Sequence, residues 1–263
     1  MIVAALVRDP VSKARLSDAL RTEASVRYCD RLTEVLTLVE AGLASLIVVD
    51  HRDFDGSPTL PAVRRLHEAY PSVPIVMYLP MSAAVSGAVM EYARAGVSQL
   101  VFQGVDDLKP ALRSAVDAAI DQASAAALAE QFEPHIPAAV MPFLRYCLEH
   151  ARRDISVEEV AAAMGVHRKT LVERLRAARL PSPRTMIGWS RLLIASRMLD
   201  DPGRTIEQVA LKLDFPSGAA LRNMFKRYTG LRTSEVRQNG GVRCLVHAFR
   251  RELTSASARS PGA

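Results

Sequence analysis

The chain has one tryptophan, three cysteines and only 5% aromatic residues in 263 positions. Cys29, Cys147 and Cys244 lie far apart, are odd in number and match no His spacing. That argues against a disulfide framework or a Cys/His metal site and suits reduced thiols in a cytoplasm. No run of about 18 uncharged apolar residues occurs, so no membrane-spanning helix is expected. The first basic residue, Arg8, follows the apolar segment 2–7 instead of preceding it, the wrong order for a secretory signal. No Gly-rich phosphate loop and no Ser/His/Asp set is present, so neither enzyme activity nor a cofactor is expected. His51 beside Asp50 is the one catalytic-looking pair. Adjacent residues at a strand end are expected to point opposite ways.

The length and the 49% apolar fraction allow two domains with real cores. The net charge of +6 is unevenly placed. Residues 1–125 carry 12 Lys/Arg against 15 Asp/Glu, whereas residues 140–237 carry 18 against 10. A surface that faces phosphates needs such a local excess.

The first 125 residues alternate short apolar runs with helical spacing. Strands are expected at 2–7, 25–28, 46–50, 75–79 and 100–102. Helices are expected at 12–22, 32–41, 60–69 and 83–95, with a long Ala-rich helix starting near Asp106. The run 46–49 is continuously apolar, as in a strand covered on both faces. Five strand–helix alternations predict an α/β domain with a five-stranded parallel sheet of the flavodoxin type.

Between Ser156 and Arg237 one punctuation occurs twice. Ser156-Val-Glu-Glu-Val-Ala161 and Thr205-Ile-Glu-Gln-Val-Ala210 each begin with a hydroxyl N-cap followed by a Glu or Gln at the third helical position. Ala161 and Ala210 suit close helix crossings. Gly165 and Asp214 then supply turns that tolerate positive φ. A second short helix with a basic or small polar side follows each turn. This is the helix-turn-helix pattern, so residues 140–237 are expected to be all-α with two such modules. An 18-residue helix, 183–200, joins them, with Trp189, Leu192, Leu193 and Met198 as core.

These residues resemble the AraC/XylS-type DNA-binding domain of bacterial transcription regulators. The ending Phe225-Lys-Arg-Tyr-Thr-Gly230-Leu-Arg-Thr-Ser-Glu-Val-Arg237 carries the most specific part of the match. Asp214 replaces the usual Gly, Arg232-Thr233 replaces Thr-Pro, and Val236 stands where an aromatic is common. The resemblance implies double-stranded DNA as partner, with RNA polymerase as a further candidate. It places Arg168, Lys169, Thr170, Glu173 and Arg174 of the first module in the groove, with Gly218, Ala219, Arg222 and Asn223 of the second. Lys226 and Arg227 are assigned to phosphates. Arg222 suits guanine and Asn223 suits adenine. His167 is expected to cap the first recognition helix.

The N-terminal pattern resembles the receiver domain of response regulators. Asp50 closes the third strand where a receiver carries its phosphoacceptor. The acidic pair, the hydroxyl residue and the Lys of the receiver site fall here on Val7 and Arg8, on Leu79 and on Gln103. A degenerate receiver that is not phosphorylated is therefore expected, with Arg8 as a structural cation near Asp50. A phosphorylated two-component regulator is one alternative. A receiver-fold interaction module that reads little sequence is another.

Residues 126–139 are expected as a linker broken by Pro134 and Pro137. The apolar stripe of 108–131 beyond Ala123 has no evident sheet to cover, which suggests a homodimer contact. Residues 238–263 are expected as a tail, with a short amphipathic helix at 242–253 and disorder over 255–263.

Overall fold

The computed structural model describes residues 2–21, 24–81 and 89–258. The chain divides into two compact units, Met1–Ala123 and Ser124–Ala263.

Among the described residues the first unit carries five strands: β1 (Ile2–Leu6), β2 (Ser25–Tyr28), β3 (Leu46–Asp50), β4 (Ile75–Leu79) and β5 (Gln99–Phe102). All pair in parallel in the order β2-β1-β3-β4-β5. This is the flavodoxin-like doubly wound order, in which ligands meet the carboxyl ends of the strands. Its helices are α1 (Pro10–Leu20), α2 (Leu32–Glu40), α3 (Leu60–Ala69), α4 (Val89–Arg94) and the start of α5 (Lys109–Glu130). The expected helix at 83–95 is seen as α4; residues 83–88 lie outside the described residues, as does Thr22. Helix α1 begins two residues earlier than its apolar spacing suggests. Asp9 caps it by accepting from the Ser12 amide at 2.8 Å, and Pro10 suits the first turn.

Strand alternation sends side chains to two cores. Ala4, Leu6, Ile47, Val49 and Met77 meet Val35 and Val39 of α2 and Val63 and Leu66 of α3. Val3, Ala5, Val48, Val76 and Val101 meet Leu16 and Leu20 of α1 and Leu112, Val116 and Ala119 of α5. A sheet buried on both faces explains why β3 reads as an unbroken apolar run.

The second unit is helical: α6 (Met141–Glu149), α7 (Val157–Ala163), α8 (Arg168–Ala177), α9 (Pro183–Leu199), α10 (Ile206–Lys212), α11 (Gly218–Thr229), α12 (Thr233–Gln238) and α13 (Val242–Ala258). Helix α9 is buried along nearly its whole length, its polar Ser190, Arg191 and Ser196 included. Trp189 stacks on Phe249 at 5.2 Å and meets Tyr228 edge-on at 5.3 Å. Trp189, Leu192, Leu193 and Met198 are core, as expected.

Two expectations change here. The 126–139 segment supplies Leu128, Ala129, Phe132 and Ile136 to this core. The stripe of α5 beyond Ala123 is thus covered inside its own chain, because Ala125, Leu128 and Ala129 pack into the helical unit rather than standing open to a second copy. The expected tail is also structural. Leu245, Val246, Phe249 and Leu253 of α13 are buried, and Phe249 meets Phe132 edge-on at 4.9 Å. Apolar residues spaced three and four apart need a partner surface, and the helical core provides one. Ser255–Ala258 continues this helix where disorder was expected; residues 259–263 lie outside the described residues.

Candidate nucleic-acid interface

Each half of the helical unit is built by the same local devices. Ser156 and Glu159 form a capping box at the start of α7: the Glu159 amide donates to Ser156 Oγ at 3.1 Å, and the Ser156 amide donates to Glu159 Oε2 at 2.7 Å. The backbone hydrogen bond from Ser156 holds the Glu159 carboxyl below its ordinary pKa. Thr205 and Gln208 repeat the box at α10, at 3.2 and 2.9 Å. Ala161 and Ala210 are buried at the crossings. Gly165 and Asp214 take φ of 65° and 54°, the left-handed turn that their places in the sequence require.

The turns aim α8 and α11 outward. In α8, Leu171 and Leu175 are buried, whereas Arg168, Lys169, Glu173 and Arg174 are exposed and Thr170 is half-buried. In α11, Leu221 and Phe225 are buried; Ala219, Arg222, Asn223, Lys226 and Arg227 are exposed. Helix α11 contains no carboxylate, so its exposed face is purely basic and neutral. Residues from both modules line a cleft of about 530 Å³, with Arg168, Arg184, Arg191 and Arg227 on its walls beside Asp154 and Glu158.

The family model described as a helix-turn-helix domain matches residues 160–239. This part of the chain is a helix-turn-helix domain. It is of the AraC type and supports binding of double-stranded DNA by a transcription regulator. No curated protein matches this sequence.

Solved structures similar to the chain include a putative response regulator from Chloroflexus aurantiacus J-10-fl (16% identity, 45% of this chain, 96% of that one, TM-score 0.40). NtrX from Brucella abortus in complex with ADP is 12% identical over 57% of this chain and 34% of that one, at TM-score 0.45. A response regulator from Burkholderia pseudomallei with a phosphorylated aspartic acid, calcium ion and citrate is 19% identical over 65% of this chain and 95% of that one, at TM-score 0.37. The receiver-like character of the first unit follows from its strand order and register.

Within the helix-turn-helix domain, two of the expected placements differ. Gly218 is buried, not exposed: a Cβ built on it would lie 2.8 Å from Glu207 Oε1, so the Glu207 side chain covers it. His167 occupies the N-cap position of α8, but its side chain makes no capping hydrogen bond. Three residues carry roles that the motif alone did not reveal. Glu158 pairs with Arg168 at 2.9 Å, and Glu207 pairs with Arg222. Both are the second residue after the cap in their modules, and that shared position was the available signal. Arg191 is the third. Only 5% exposed, it donates to Asp154 Oδ1 at 2.7 Å and to the Leu213 carbonyl, and its guanidinium lies 4.1 Å from the Phe215 ring centroid. Burial lowers its pKa from the ordinary guanidinium value.

In the first unit Asp50 sits at the carboxyl end of β3, 3% exposed. Its Oδ1 accepts from the His51 amide at 2.8 Å and meets His51 Nδ1 at 2.8 Å. The pair therefore meets rather than diverging, because the chain leaves the strand after Asp50 and the imidazole folds back. Arg8 Nε stands 4.0 Å from Oδ2, the cation expected there. The Gln103 amide donates to the Leu79 carbonyl at 2.8 Å, which places those two substitutes side by side at the same sheet edge.

Proposed function

We propose that this regulator reads a specific DNA sequence with α8 and α11 in successive major grooves, and that its receiver-like domain takes input without phosphorylation. One observation carries the first part: two modules whose first helices start with the same capping box, joined by α9, each turn an exposed helix face with cationic side chains to solvent. Helix α9 has 17 residues, roughly 26 Å at 1.5 Å per residue. Module width adds to that, approaching the groove repeat of about 34 Å. A single chain can then read two half-sites. Arg168 and Lys169 suit phosphate or guanine; Thr170, Glu173, Arg222 and Asn223 suit base edges; Lys226 and Arg227 suit phosphates. Ala219 offers an apolar contact. Gly218, covered by Glu207, is left out of the base-reading set.

The second part rests on Asp50. Mg²⁺ needs oxygen ligands and retains several waters. Asp50 is instead engaged by His51 and neighboured by Arg8, with Val7, Leu79 and Gln103 at the partner positions. A protein partner, a ligand or abundance remains as input.

Selection of binding sites from random duplexes by the full chain tests the reading. The expected result is a two-part motif with centres roughly 10 base pairs apart. Uniform binding of all duplexes would instead favour an interaction module with little sequence preference.

A further inference from the structure

We propose that Glu207 and Gly218 form a clamp that positions Arg222 for base reading, making Glu207 a specificity-determining residue that need not touch DNA itself. The inference rests on the DNA-reading function above and assigns a device within it. Glu207 is on α10, the first helix of the second module, and Arg222 is on α11, the second. Glu207 Oε1 accepts from Arg222 Nη2. The same carboxylate lies over Gly218, one turn before Arg222 on α11, where a Cβ would meet Oε1 at 2.8 Å, Cδ at 3.2 Å and Cγ at 3.3 Å. Glycine at 218 is what leaves room for the carboxylate to reach Arg222. Gly218 has no positive φ to account for it, so the space is its contribution.

Both charges are largely exposed, at 49% and 62% of their side chains. Such a pair adds little to stability. Its effect is on orientation. A guanidinium has five N–H donors in a rigid fork, and one engaged by Glu207 leaves others aligned for a bidentate guanine contact. The carboxylate also offsets the charge of Arg222, which lowers its attraction to phosphates of any sequence. Fixing the fork raises specific affinity while the neutralised charge lowers nonspecific affinity. The two effects act together on their ratio. The first module has no equivalent, because Val172 stands at the position matching Arg222, and Arg168 stands at the position matching Gly218 and pairs with Glu158 instead.

The test uses the full chain on the duplex selected by the wild type, against a scrambled duplex, with circular dichroism as a fold control. Glu207→Gln is expected to lower the specific-to-nonspecific ratio about five- to tenfold, and to relax preference at the same base pair that Arg222→Ala relaxes. Gly218→Ala should do likewise by displacing the carboxylate, while keeping the helix. In an Arg222→Ala background, Glu207→Gln should change the ratio no further. An unchanged ratio in Glu207→Gln, or an equal loss with and without Arg222, would overturn the clamp. A wild type that selects no sequence overturns the DNA-reading function itself, and the clamp with it.

Discussion

Arg191, midway along the helix that joins the two modules, donates to Asp154 at 2.7 Å just ahead of the first module. Its other terminal nitrogen donates to the carbonyl of Leu213 in the turn of the second. One buried guanidinium thereby ties both modules to the joining helix. It also sits beside Asp214, whose left-handed φ of 54° is strained for a residue with a side chain.

Removing this tie should be costly in an ordered way. Arg191→Met deprives the Leu213 carbonyl of its donor and loses the contact with Phe215, an expected loss of about 1–3 kcal/mol. Asp154→Asn should cost under about 1 kcal/mol, because that carboxylate is 78% exposed and screened by water. Urea unfolding of the full chain measures both. Equal losses would mean that the guanidinium's contacts with the second module contribute nothing.

The helix crossings give a second expectation. Ala161 and Ala210 are at most 2% exposed, so Ala161→Leu and Ala210→Leu should each overpack a crossing and cost roughly 1–3 kcal/mol. Thermal unfolding of the full chain reads this directly. Unchanged melting for both would show that the two crossings are loose enough to absorb three extra carbons.

Phosphate contact and base contact should separate by salt. Lys226 and Arg227 are exposed in the last turn of α11. Replacing both by Ala should weaken binding to all duplexes alike and make the slope of log K against log salt shallower by about 2, at roughly 0.9 per phosphate. A slope that stays at the wild-type value would take both side chains away from the backbone.

Asp50 decides how the chain is switched. Acetyl phosphate with Mg²⁺ is expected to add no phosphoryl group and to leave DNA affinity unchanged. Intact-mass measurement checks the first and a binding titration the second. A phosphoryl adduct that disappears in Asp50→Asn would restore the two-component alternative.

What could be read from the chain without its fold was whatever depends on near neighbours. The caps at Ser156 and Thr205, the left-handed turns at Gly165 and Asp214 and the continuous apolar run of β3 are each set by a few adjacent residues. They sufficed to place the sheet and both helix-turn-helix modules. Contacts between distant segments were not legible. Nothing local says that Phe132 meets Phe249, that α13 completes the helical core, or that the stripe of α5 beyond Ala123 is covered by its own chain. The imidazole of His51 folds back onto Asp50 only because the chain leaves the sheet at that point. Gly218 looked like an open helix face until Glu207, eleven residues earlier, was seen to lie across it. Local hydrogen bonding and periodicity are properties of sequence, whereas burial and pairing depend on which surfaces the fold brings together. The sequence alone therefore determined the two architectures, and only the tertiary structure decided which charges are paired and which helix faces are left exposed.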